Sequence, residues 1–348
     1  MRALVFEGVR RVACAAVPDP AILDPGDAIV RVKAAAICGS DLHVYRGLET
    51  GLDIGTVMGH ELAGEVIETG SGVHRFGRGD LVVSPFTTSC GVCFYCRLGL
   101  TARCERGQLF GWVEKGSGLH GVQAEYVRVP LADSTLVAVP EGTPPEEALF
   151  AGDILATGWF GAESAGAAPG KAIAIVGCGA VGLMAVIAAR ELGADRIFAV
   201  DSLPDRLALA ESWGAEPVDF TSEDPRERIR DATGGRGADG AVEAVGTPEA
   251  SRLAFDLVRP GGTLAAVGVH VEPHFAVAPG AMYDKNLTYR AGRCPARAYM
   301  DRLLPLIASR KYALGALISH RLPLEDGATA YDLFDRRAAG CTKVIFTP

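Results

Sequence analysis

A histidine and a glutamate stand side by side, His60-Glu61, inside the apolar run Met58-Gly59-His60-Glu61-Leu62-Ala63-Gly64-Glu65-Val66. Two ionisable groups are costly to bury in such a run unless they are paired or hold a metal. An imidazole is a good zinc ligand, and the carboxylate beside it is a second candidate. A hydrogen-bonded core histidine is the competing reading. What weighs against it is the company of Cys38, Asp153 and the glycine-rich stretch at Gly177.

Cys90-Gly91-Val92-Cys93-Phe94-Tyr95-Cys96, followed by Cys104, gives the spacing C-x2-C-x2-C-x7-C. Four thiolates this close on a glycine-containing loop can wrap one tetrahedral ion. No histidine or carboxylate completes the set, so no position is left for a substrate, which marks a closed, structural zinc site. Two disulfides or an iron–sulfur cluster are the alternatives. Disulfides conflict with a reducing compartment, and cysteines so near in sequence bridge poorly. Zinc here would pin a long loop that lacks the apolar surface to fold alone. Of the nine cysteines, Cys14, Cys178, Cys294 and Cys341 read as small apolar residues.

Gly177-Cys178-Gly179-Ala180-Val181-Gly182 fits G-x-G-x-x-G. It follows a strand-like run and opens a helix-like one, the setting that binding a dinucleotide requires. Gly177, Gly179 and Gly182 allow a tight turn and close backbone approach, and Val181 lies within the same turn, where the helix N-terminus offers N–H groups to a pyrophosphate. Asp201 ends the next strand, where a carboxylate accepts hydrogen bonds from an adenosine ribose and repels a 2′-phosphate. NAD is therefore favoured over NADP, although Arg206 is near enough in sequence to reach a phosphate. A glycine-rich turn that binds nothing is the competing reading.

The elements that must carry these residues are legible in outline. A chain of 348 residues exceeds one hydrophobic core, so two domains are expected. Residues 1 to about 150 read as strands and turns, with Ala28–Ala34, Leu62–Thr69, Leu81–Val83, Tyr126–Pro130 and Thr135–Pro140 as strands. Pro144-Pro145-Glu146-Glu147 then starts a helix. From Lys171 onward strands alternate with helices: Lys171–Val176, Arg196–Val200, Ala238–Ala244 and Thr263–Val269 against Val181–Leu192, Pro204–Trp213, Asp224–Thr233 and Pro248–Val258. That alternation means a doubly wound parallel sheet. A helix over Arg297–Ser309 and a last strand Lys343–Phe346 close the chain, and the tail is expected to return to the first domain, making the α/β part an insertion. A net charge of −8 argues against nucleic acid or an anionic membrane as main partner. No apolar run is long enough to span a bilayer, and the N-terminus lacks the apolar stretch of a signal peptide, so a cytoplasmic protein is expected.

Gly59-His60-Glu61-x-x-Gly64, with Gly70 and Val73 beyond it, resembles the zinc-alcohol-dehydrogenase signature of the medium-chain dehydrogenase/reductase superfamily. The four-cysteine stretch and the nucleotide loop follow in that family's order, so the resemblance spans essentially the whole chain. It implies an irregular β-rich GroES-like catalytic domain over 1–153 and 292–348, and a Rossmann NAD-binding domain over 154–291. It implies that Cys38, in Ala36-Ile37-Cys38-Gly39-Ser40-Asp41-Leu42-His43, ligates a catalytic zinc with His60. Many members place Cys or Glu as the third ligand. This chain offers Asp153, which is similar to the formaldehyde dehydrogenase branch; a turn or helix-capping Asp is the bland alternative. Glu61 would enter the coordination sphere when substrate leaves. Three ligands leave the fourth position open for an alcohol oxygen. By the same resemblance Ser40 takes the proton and relays it through the cofactor ribose to His43, and Asp41 holds His60 in its ligating tautomer. Thr157 and Val269 would flank the nicotinamide and Lys343 would reach the pyrophosphate, a solvated strand lysine being the alternative. Phe86 and Leu109 resemble pocket-lining positions; His270, His274 and His320 read as structural or surface.

The expected function is a zinc-dependent, NAD(P)-linked alcohol dehydrogenase acting on an alcohol, a polyol or an aldehyde hydrate. An aldehyde dismutase with tightly bound NAD, and a non-catalytic dinucleotide-binding protein, are the alternatives. A homodimer or homotetramer joined through the nucleotide domains is implied. Elemental analysis of the purified protein is expected to return about two zinc ions per chain; a value near one would mean that Asp153 or the cysteine stretch has been misread.

Overall fold

Period-two alternation makes Ala28–Ala36 a strand in which Arg31 and Lys33 face outward and the other residues are buried. It is the spine of a seven-stranded sheet. Its neighbours are Glu61–Thr69 on one side and Val344–Phe346 on the other, with Tyr126–Val129 also pairing along it. The computed structural model describes the backbone of residues 1–348 and every side chain except that of Ala339. The C-terminal strand joins antiparallel, with Ile345 opposite Ala36 and Phe346 opposite Ala35. The tail therefore completes the first unit, which comprises Met1–Ala156 and Pro295–Pro348. The second unit, Thr157–Cys294, is an insertion whose two borders each lie three residues beyond the expected ones.

The second unit is a six-stranded, all-parallel sheet in the order Glu216–Asp219, Arg196–Asp201, Ala172–Val176, Ala238–Glu243, Val258–Ala266, Thr288–Ala291. Ala172–Val176 is buried throughout, as a central parallel strand between two layers of helix must be. The sequence reversal between Ala172–Val176 and Ala238–Glu243 is the topological switch point of a doubly wound fold. The first unit with its irregular sheet and the second with its doubly wound parallel sheet are the two parts of an α/β protein.

Several elements differ from expectation. The edge strands Glu216–Asp219 and Thr288–Ala291 carry no apolar run, so their pairing comes from neighbours rather than pattern. Residues 135–140 were expected as one strand. Instead Thr135 ends the helix Ala132–Thr135 and only Val137–Ala138 pairs. The Thr135 hydroxyl donates to the Pro130 carbonyl and accepts the Ser89 amide, local bonds that compete with a ladder. The strand ending at Ala266 stops short of Val269 because the Val267 and Gly268 amides both turn onto the Glu243 carbonyl.

Glu243, fully buried at the end of its strand, organises that turn. One carboxylate oxygen accepts the amides of Val245 at 2.8 Å and Gly246 at 2.7 Å; the other lies 3.0 Å from His270 Nε2. Ser251 Oγ is 3.3 Å from the same nitrogen, and Glu272 is 3.3 Å from Nδ1. The Glu243 carboxylate raises the His270 pKa above its ordinary value, outweighing partial burial. A folded-state value above the unfolded one contributes stability that is full below the unfolded pKa and fades as pH rises through the folded value. The difference in urea midpoint between the protein and His270→Gln is therefore expected to be largest near pH ~5.5 and to close above pH ~8.

Candidate functional site

Cys38, His60, Glu61 and Asp153 come from three separate segments of the first unit. Each offers one ligand atom, and these atoms all lie within 4.8 Å of one another. Cys38 opens a tight turn, Cys38-Gly39-Ser40-Asp41, that runs into the short helix Asp41–Tyr45. Asp41 closes the turn by accepting the Cys38 amide at 2.9 Å, and its other oxygen lies 3.2 Å from His60 Nδ1. That contact leaves His60 Nε2 facing the cluster, 3.2 Å from Asp153 and 3.4 Å from Ser40 Oγ. Phe86 packs its ring edgewise on the imidazole, with centroids 6.3 Å apart. Asp153 sits at the junction between the 3-10 turn Leu149–Gly152 and the helix Ile154–Ser164. Gly152 allows this approach, since a Cβ there would strike the Ser84 carbonyl.

The cluster is buried and rich in acids. Burial pushes the Cys38 thiol up to about 11, with Asp153 adding to it. Burial also raises Glu61, to about 7, against the pull of Lys343. Asp41 and Asp153 hold the His60 pKa well above normal despite burial, and His60 in turn keeps the Asp153 value low. Glu61 uses only one carboxylate oxygen, on Lys343; Oε2 is buried without a hydrogen-bond partner. An orphaned carboxylate oxygen beside a thiol, an imidazole nitrogen and a second carboxylate is a donor set that fits a zinc ion.

The second group, Cys90, Cys93, Cys96 and Cys104, also brings its four sulfurs within 4.8 Å. None of the four is in a disulfide. Backbone amides already point at them: Cys90 and Arg106 N–H to Cys104 Sγ, and Cys93 N–H to Cys90 Sγ. Amide bonds from Cys96 and Glu105 bring the Cys93 thiol down to about 6, whereas burial and its sulfur neighbours push Cys96 up to about 12. A ring of sulfurs in which Cys93 ionises readily while Cys96 and Cys104 resist it fits a shared cation.

In the second unit Gly177 has φ +89°, and a Cβ there would collide with Val245. A Cβ on Gly182 would strike the Gly177 carbonyl. Gly179 caps the helix Ala180–Glu191, which includes Val181. Asp201 accepts the Cys178 amide at 2.7 Å with one oxygen and the Ser202 and Leu203 amides with the other. It thus braces the glycine turn from the adjacent strand. The nearest Arg206 nitrogen would lie 3.8 Å from a Cβ on Gly179. Thr157 lies in the helix Ile154–Ser164, and Val269 follows the Glu243 turn and is 41% exposed.

Lys343 is where the structure departs most from expectation. It is neither solvated nor extended toward a pyrophosphate. It is fully buried in the first unit, donating to Glu61 Oε1 and, at 3.0 Å, to the Ile37 carbonyl. A buried ammonium without a counter-charge would be far costlier than this pair. No local pattern in the sequence could have announced a contact across 282 residues. His43 lies in the helix that follows Ser40. Leu109 bridges Thr87, next to Phe86.

Comparison with known proteins agrees with this architecture. Residues 24–141 match the family of the alcohol dehydrogenase GroES-like domain, and residues 180–309 match that of the zinc-binding dehydrogenases. The chain is 45% identical to zinc-type alcohol dehydrogenase B of Aspergillus flavus, over 99% of this chain and 81% of that one. Among solved structures it is similar to the alcohol dehydrogenase TADH from Thermus sp. ATN1, with 42% identity, a TM-score of 0.93, and coverage of 100% of this chain and 99% of that one. It is also similar to a zinc-binding dehydrogenase from Sinorhizobium meliloti bound to NADP, with 28% identity, a TM-score of 0.85, and coverage of 100% and 99%. The chain belongs to the zinc-dependent alcohol dehydrogenases of the medium-chain dehydrogenase/reductase superfamily. It is an oxidoreductase of that kind, using zinc and a nicotinamide cofactor.

The Glu61–Lys343 pair carries a direct prediction. Lys343→Met leaves a buried carboxylate uncompensated and is expected to lower the unfolding free energy by about 3–5 kcal/mol. Adding Glu61→Gln to that variant should recover most of the loss, read from urea denaturation of the single and double variants.

Proposed function

We propose that this protein oxidises a primary or secondary alcohol or a polyol with NAD, at a zinc site made by Cys38, His60 and Asp153. The observation that supports it is the convergence of these three donors, with Glu61, within 4.8 Å. When bound, zinc supplies a Lewis acid at the substrate oxygen and the nicotinamide accepts the hydride. The residues of the chain do the rest. Cys38, His60 and Asp153 hold the ion, Asp153 in the manner of the formaldehyde dehydrogenase branch. Asp41 keeps the His60 ring oriented with Nε2 toward the cluster. Ser40 stands 3.4 Å from that nitrogen and takes the substrate's hydroxyl proton, and His43 delivers it onward. Glu61 is held beside the ion by Lys343, with Oε2 in reserve as a further ligand. Cys90, Cys93, Cys96 and Cys104 hold a structural zinc.

The glycine loop Gly177–Gly182 receives the pyrophosphate at a helix N-terminus. Asp201 favours NAD over NADP, because a 2′-phosphate would face a carboxylate already fixed by three backbone amides. Arg206, Thr157 and Val269 complete the cofactor site. Its setting is the cytoplasm: Cys90, Cys93, Cys96 and Cys104 lie together yet form no disulfide, as thiols do in a reducing compartment. The protein is a homo-oligomer that pairs through the second unit. The support is the exposed edge strand Thr288–Ala291, whose free rim is a ready template for another chain.

The test is a panel of alcohols, polyols and aldehydes run with NAD and with NADP, followed by nicotinamide absorbance. Turnover of an alcohol with added NAD is expected. Disproportionation of an aldehyde with no change in the cofactor pool would replace this reading with the dismutase. Cys38→Ala is expected to reduce turnover by more than the roughly 100-fold that loss of a supporting residue costs, with the circular dichroism spectrum retained. No turnover of any substrate in the panel by the unmodified protein, with NAD binding retained, would leave only a dinucleotide-binding protein.

A further inference from the structure

We propose that Gln123, backed by Tyr331, is a positioning residue that sets the separation of the chain segments bearing Cys38 and His60. This rests on the zinc-site reading above and extends it to residues outside the donor cluster.

Gln123 is fully buried, and both ends of its amide are engaged. Nε2 donates to the Ala36 carbonyl at 2.9 Å, two residues before Cys38. Oε1 accepts the Tyr331 hydroxyl at 2.9 Å. The stem of the side chain lies against Gly59, the residue before His60: a Cβ on Gly59 would stand 2.6 Å from Gln123 Cδ. The backbone holds the same place, with Gln123 N–H donating to the Met58 carbonyl and Val122 N–H to that of Gly59. Gly59 itself has φ +85°, so the His60 segment turns at the point where it lies against Gln123.

Tyr331 closes the chain of contacts. It is fully buried on the helix Gly327–Arg336, and its ring lies 5.3 Å from that of Tyr45, at the end of the helix that begins after Ser40. One planar group with a donor at one end and an acceptor at the other thus meets the strand before Cys38, the turn before His60, and an anchor delivered by the C-terminal tail. The carboxamide of Gln or Asn sets an N–H donor and a carbonyl acceptor side by side on one neutral group, and Asn is one methylene shorter. A leucine of similar size would fill the space and remove both hydrogen bonds. The spacing of the two ligand segments would then be set by packing alone, and metal geometry tolerates little slack.

The experiment uses full-length, zinc-loaded protein carrying Gln123→Leu or Tyr331→Phe, with release of zinc to a chromophoric chelator as the readout. The four-cysteine site in the same chain is the internal control, and Cys38→Ser identifies which kinetic phase belongs to the Cys38–His60 site. That phase is expected to quicken by about 10–100-fold in Gln123→Leu and by a smaller factor in Tyr331→Phe, while the other phase keeps its rate. The visible spectrum of the cobalt-substituted protein should change with it. An unchanged phase in both variants overturns the proposal, and so does a parallel quickening of both phases in Tyr331→Phe, which would mean general loosening. Should Gln123→Leu not fold, Tyr331→Phe, which loses one oxygen atom, decides alone. If the unmodified protein releases zinc in one phase that Cys38→Ser does not alter, the zinc-site reading has failed, and this inference with it.

Discussion

A thiol, an imidazole and two carboxylates are gathered into one buried place with the ammonium of Lys343 fixed on one of the carboxylates. In a medium of low dielectric such a crowd of donors is unfavourable until positive charge is supplied. The raised values of Cys38 and Glu61 and the strongly raised value of His60 all express that deficit. A bound cation such as zinc would relieve it. The rest of the first unit can be understood as the means of holding these groups together when their own charges oppose it.

The means are mostly backbone. Asp41 uses its carboxylate on the amide of Cys38 and the ring of His60, so one side chain fixes two members of the cluster. Gly59 and Gly152 take positions where a side chain would strike Gln123 or the Ser84 carbonyl, and each precedes a member of the donor cluster. The C-terminal tail then supplies what the first 156 residues lack. Its last strand pairs with Ala35 and Ala36, and the same stretch delivers Lys343 to Glu61. The interruption of this unit by Thr157–Cys294 is therefore no loose arrangement: the first unit is finished only when the tail comes home.

The second unit applies the same economy to a different end. Asp201 and Glu243, each buried at the C-terminal end of a parallel strand, bind backbone amides of the turns beside them. Carboxylates that accept several amides stiffen the turn that supplies them. The Asp201 carboxylate holds the glycine loop, and the Glu243 carboxylate holds the Val245–Gly246 turn and His270. Those are the surfaces from which a dinucleotide is gripped in a doubly wound sheet.

Much of this was legible in the chain. Spacing announced the four-cysteine site, because all its members lie within fifteen residues of one another in sequence. The glycine loop and the β/α alternation were equally local, since turn chemistry and helix or strand periodicity are properties of short windows. What the sequence by itself determined was thus the chemistry available: which donors exist, which loop can take a phosphate, and that two kinds of layer are present. That Cys38, His60 and Asp153 share one centre was reached only through resemblance, for no period links residues 115 positions apart. Tertiary structure alone decided that Lys343 belongs to Glu61, that Gln123 stands between Ala36 and Gly59, and that His270 braces Glu243. Each of these is a pairing demanded by burial, and burial is settled only after the whole chain has closed upon itself.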